Sequence, residues 1–178
     1  VERSRGLGDV YKRQLNDEGV GLYNSIYNVS MLATFYLAGY LTDKVGVVRT
    51  LVINEVVGSI SIFLLALSYF SSPLLAYLSG ALMGVSIELW IASFNTITVL
   101  LKGPESVGEV RSSIDSARIL ASIPAPSLGS ALYSTVGPTS PFILGSLLLA
   151  VATPFLRQGK RERGASKTRK ATELPEQK

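Results

Sequence analysis

The chain has 178 residues, 47% of them hydrophobic and only 17% charged, with a formal net charge of +4. It holds no cysteine and no histidine, which excludes disulfides and thiolate chemistry and removes the commonest general base and metal ligand. The charges are uneven: residues 157–178 carry eight Lys or Arg against three Glu, whereas long runs between 19 and 156 are nearly uncharged, so the pattern is that of an all-α, polytopic membrane protein with a basic tail.

Residues 1–14 are polar, basic and glycine-containing, and begin at Val1 rather than Met. They lack the apolar core of a signal peptide. The run from Arg5 to Gln14 resembles translated adapter sequence, and residues 1–14 are expected to be a leader that is not native. Five apolar spans follow, at about 20–41, 50–70, 74–101, 113–136 and 142–156. Most approach the ~20 residues that a helix needs to cross a bilayer core. The last is short and is expected to end with Arg157 snorkelling to the interface. The tail at 158–178 is rich in Lys, Arg, Glu, Gly and Ser and is expected to be disordered.

In the first span Asn24 and Asn28 lie one turn apart. They suit either a cavity wall or hydrogen bonding between helices. The turn after it reads Gly39-Tyr40-Leu41-Thr42-Asp43-Lys44-Val45-Gly46-Val47-Val48-Arg49. Gly39 is expected to let helix ends approach, and Gly46 to permit a backbone bend. Asp43 is expected to accept from a helix N-terminus, with Lys44 and Arg49 in water. One turn into the second span, Glu55 is expected to pair with Arg49 or a neighbouring basic residue, or to join a gate network. In the third span Gly80, Gly84, Glu88 and Asn95 share one helical face, the mark of a protein-facing side. Glu88 is near the middle of that span, where a carboxylate is costly unless paired, protonated or wet. It is either a proton- or cation-coupling group or a protonated carboxyl bonded to a neighbouring helix. Trp90 is expected against lipid or another helix, or on a substrate. Asp115 and Arg118 stand one turn apart at the expected start of the fourth span and can neutralise each other, with a role in a gate open to them. Pro124 and Pro126, followed by Gly129, should bend that span, either as a fixed kink or as a hinge.

Lys44 and Arg49 fall in the first connector and Lys102 and Arg111 in the third, while the second and fourth have no basic residue. The odd connectors and the tail are therefore expected on the cytoplasmic side.

The turn at 39–49 resembles the loop signature of the major facilitator superfamily, G-x-L-x-D-[RK]-x-G-x-x-[RK]. Gly39, Leu41, Asp43, Lys44, Gly46 and Arg49 match it, and Val47 and Val48 depart from its usual basic residues. The resemblance covers about residues 15–156. It implies a secondary active carrier built of two six-helix halves, with the signature between the second and third helices of each. On that pattern the chain is the C-terminal half without its first helix, and the N-terminal half is its missing partner; a truncated N-terminal half with its central cytoplasmic loop is the alternative. The third span lacks the embedded arginine typical of the N-terminal half. Asp43 would then bond to a helix of the other half. The Pro124-to-Gly129 run would correspond to a family proline–glycine motif. The first, third and fourth spans would line the cavity.

The expected function is alternating-access transport of a small solute across the plasma membrane, with a proton gradient as one energy source. No cofactor, metal or nucleic acid is expected. An intramembrane enzyme lacks the residues it needs: no His, no Cys, no paired carboxylates on adjacent turns of a span, and no Lys within a span for a Ser–Lys dyad. A non-transporting receptor or assembly protein on the same bundle is the alternative.

Overall fold

The computed structural model describes residues 17–102 and 107–154. The leader at 1–14, Arg157 and the tail at 158–178 lie outside them. The described residues form helices α1 (Asp17–Val45), α2 (Val47–Ser68), α3 (Pro73–Lys102), α4 (Val107–Ser122), α5 (Ala125–Thr135) and α6 (Ser140–Pro154), and no strand.

Local chemistry sets the boundaries. α1 and α2 are separated by one residue, Gly46, whose φ of 94° is open to glycine and costly for a side chain. Its carbonyl accepts from the amides of Arg49 and Thr50 and starts α2. Ser72 starts α3: its hydroxyl accepts from the Leu74 amide and its carbonyl from the Leu75 amide, with Pro73 at the first helical position.

The central helix is α3. It packs along most of its length against α1 on one side and α2 on another, while α1 and α2 scarcely touch. Against α1 the backbones come close. A Cβ at Gly84 would collide with the Tyr27 carbonyl and stand 2.9 Å from the Met31 amide. Against α2 the seam is polar. Ser61 Oγ donates to the Ser79 carbonyl at 2.9 Å, and Ser86 Oγ donates to Asn54 Oδ1 at 2.7 Å. Asn54, Ser61 and Ser68 recur every seven residues on α2, as do Ser79, Ser86 and Ser93 on α3, and all six are buried. That is the spacing of a left-handed helix pair. α6 joins the outer side of α2 through Ser59 Oγ, which donates to the Ser146 carbonyl at 2.8 Å.

The burial is inside-out. Among the described large apolar side chains the most exposed are Tyr36 (83%), Leu32 (77%) and Val136 (72%), while Thr50, Ser61, Ser79 and Ser93 are fully enclosed. Water would penalise both halves of that arrangement. In lipid the apolar exterior is solvated, and small polar residues let helices approach and bond.

Two expectations are corrected. The fourth span is not one bent helix. Pro124 and Pro126 lack amide donors, so the ladder fails and α4 ends at Ser122, with α5 starting at Ala125. The third connector is also shorter than expected, because residues 107–112 already belong to α4. By length and composition, two described helices can cross a membrane: residues 47–68 and 73–100. α1 is long enough at 29 residues, but Asn24, Asn28 and its tyrosines and serines dilute its apolar run. α6 is shorter, at 140–154.

Candidate functional site

Glu88 sits at the middle of α3, 6% exposed. Among the described residues its carboxyl makes no hydrogen bond or ion pair. The bond to a neighbouring helix that would make it purely structural is therefore missing. Gly80 and Gly84, on the preceding two turns, are enclosed by Tyr23 and by the α1 backbone at residues 27–31. Gly80, Gly84 and Glu88 share a buried face as the spacing predicted, but Asn95, further along that stripe, is exposed. Asn24 and Asn28 are also exposed, away from the α1 face that meets α3. No hydrogen bond joins them to another helix among the described residues.

A second cluster joins α3 to α4. Trp90 and Phe94 stack with centroids 5.0 Å apart and an interplanar angle of 11°. Arg118 lies over Trp90 at 5.5 Å and Arg111 over Phe94 at 5.9 Å. Asp115 stands between the arginines, 3.3 Å from Arg118 Nη2 and 3.9 Å from Arg111 Nε. The Asp115–Arg118 pair thus forms, in mid-helix rather than at the helix start, because α4 begins at Val107. A guanidinium on an aromatic face gains roughly 0.5–2 kcal/mol, more as water is excluded. Sequence reading isolated Trp90 but missed its partners. The available signal was spacing: Trp90 and Phe94 stand one turn apart and Arg111 and Arg118 two turns apart, so each pair lies on one helical face.

One expectation at the signature turn is not met. Gly39 makes no close approach: a Cβ there would meet nothing within 4 Å among the described residues. Asp43 is exposed within the last turn of α1, and the first turn of α2 has no side-chain cap. Glu55 Oε1 accepts from Asn54 Nδ2 at 3.4 Å, not from Arg49. Leu41 is half-buried, and Lys44 and Arg49 are exposed. Pro124 and Pro126 are exposed at the α4–α5 junction, and a Cβ at Gly129 would meet open space.

An apolar exterior, polar inter-helix seams and an unpartnered mid-helix carboxyl define a multi-pass helical membrane protein with polar groups kept for its interior. The sequence profile of the Major Facilitator Superfamily matches residues 8–178, and the chain belongs to that family. It is thus a membrane transporter of the major facilitator kind, a family of carriers rather than enzymes. No curated protein and no solved structure matches the chain.

Proposed function

We propose that the chain is the C-terminal half of a secondary active carrier and that Glu88 couples solute movement to protons. The observation that carries this reading is the Glu88 carboxyl: buried, at the centre of α3 and unpaired among the described residues. A carboxylate at bilayer depth costs several kcal/mol unless it is neutralised or wetted. A group that is charged in one state and neutral in the other fits a site facing the two sides in turn. Asn24, Asn28 and Asn95, all exposed, are the candidates to meet a small solute there.

The missing half would cover what this chain leaves open. α4 is polar and exposes Ser112, Ser113 and Ser116, which do not suit lipid. The exposed Asp43 would meet that half at the cytoplasmic gate, with Lys44 and Arg49 beside it. Glu55 would take part in that gate, and the Pro124–Pro126 junction with Gly129 would supply a bend between inward- and outward-facing forms. The basic connectors and the C-terminus would face the cytoplasm, and the protein would lie in the plasma membrane.

Transport by the full-length carrier in proteoliposomes tests this. A panel of labelled solutes should include one that accumulates when a pH gradient is imposed and leaks out with a protonophore. Glu88→Gln should abolish gradient-driven accumulation of that solute and retain counterflow. Undiminished accumulation in that variant removes Glu88 from the mechanism.

A further inference from the structure

We propose that Arg111 and Arg118, held on the Trp90–Phe94 stack, form a seat for the oxyanion group of a small organic anion, carboxylate or phosphate. The inference rests on reading α4 as a wall of the solute cavity.

Charge comes first. The cluster holds two guanidiniums and one carboxylate, Asp115, so one positive charge is left over. No further ion pair reaches either arginine among the described residues. Both remain open: their side chains are 58% and 60% exposed even while they touch the rings and Asp115.

Depth decides what they can face. α3 has 30 residues, so at ~1.5 Å per residue it is roughly 15 Å longer than a bilayer core of about 30 Å. Trp90 lies roughly 18 Å along the axis from Lys102, so with α3 centred Arg118 sits about 10 Å inside the hydrocarbon boundary. A surplus cation at that depth does not face lipid. It faces water or an anion.

Geometry then selects the anion. Trp90 supports one guanidinium face and Asp115 holds one edge, which fixes the plane and leaves further N–H donors free. A fixed planar fork is suited to a bidentate oxyanion and poorly suited to a neutral sugar or a cation. Phe94 has no polar group and Trp90 offers a single indole N–H, so the charge and the bidentate fork that select an oxyanion reside in the two arginines.

Trp90 is the only tryptophan, so its emission reads this seat without any transport assay. The chain, in zwitterionic nanodiscs at constant ionic strength set with chloride, is titrated with succinate, with inorganic phosphate and with glucose. A separate sample contains phosphatidylglycerol. A saturable emission change is expected with succinate or phosphate, and none with glucose. Arg118→Gln should abolish it, and Arg118→Lys, which keeps charge but loses the fork, should weaken it several-fold. Succinate and phosphate separate the two oxyanion types. A response to phosphatidylglycerol alone, to glucose equally, or to neither soluble anion in a chain of native helix content overturns the seat. So does a response that persists unchanged in Arg118→Gln. Solute movement in proteoliposomes with no Trp90 response would sink this seat and leave the carrier reading intact.

Discussion

At the scale of single residues, backbone closeness and backbone bending fall on different glycines. Gly39 has open space where its Cβ would be, whereas at Gly84 a Cβ meets the backbone of α1 at Tyr27 and Met31. Helix backbones cannot step aside as a side-chain tip can. Gly84→Ala should therefore cost about 1–3 kcal/mol through overpacking, while Gly39→Ala should stay within about 0.5 kcal/mol of the parent. Thermal unfolding in detergent, monitored by helix content, checks both; equal shifts would refute the contact. Gly46→Ala acts differently again. Nothing among the described residues crowds position 46, but its φ of 94° with ψ of 146° is a region essentially reserved for glycine, so about 1–3 kcal/mol of strain is expected. The sequence marked Glu88 correctly as an oddity, because a charge within an apolar run is visible without coordinates. It could not show which glycine touches a neighbour, since that depends on where the facing helix lies.

At the scale of elements, the α2–α3 seam was the least legible feature. Each serine is an ordinary residue in an apolar run. Only the seven-residue recurrence on both helices, together with their antiparallel pairing, makes Asn54–Ser86 and Ser61–Ser79 into bonded pairs. Replacing Asn54 by Ala takes from Ser86 Oγ its short contact and leaves it the Asn54 backbone carbonyl at 3.4 Å. A loss of about 0.6 kcal/mol is the average for such bonds within membranes. Measured unfolding free energies of Asn54→Ala, Ser86→Ala and the double variant should be non-additive; strict additivity would mean that the pair is not coupled. The α4–α5 break was half legible. Two prolines announce a disturbance, but whether the helix bends or stops depends on packing. α4 buries only Val110 and α5 buries nothing among the described residues, so little packing holds the helix through the fault. Pro124→Ala with Pro126→Ala restores two donors and should fuse α4 and α5. Hydrogen exchange should then slow at the amides of Ile123, Ala125 and Ser127, and the amides gained at 124 and 126 should be protected; unchanged exchange would show that the break has another cause.

At the scale of the whole molecule, the fold was legible because lipid leaves few choices. Long apolar runs must be helices, their connectors must be polar, and the positive connectors share a side. Individual side chains cannot say this, but the alternation of charge along the chain can. Lys44 stands near the end of α1 and Ser72 at the start of α3, with α2 between them. α2 is one of the two described helices long and apolar enough to cross a membrane, so the two positions should lie on opposite faces. The chain has no cysteine, and single cysteines introduced as Lys44→Cys and Ser72→Cys therefore report position without background. In intact cells producing the full-length carrier in a cysteine-free background, a membrane-impermeant maleimide should label Ser72→Cys and spare Lys44→Cys, and inverted vesicles should reverse the result. Labelling of both from one face would mean that α2 does not span, and the apolar exterior would need another explanation. Labelling with the faces exchanged would keep every helix and every bond described above, but would place the signature turn outside and remove the cytoplasmic gate.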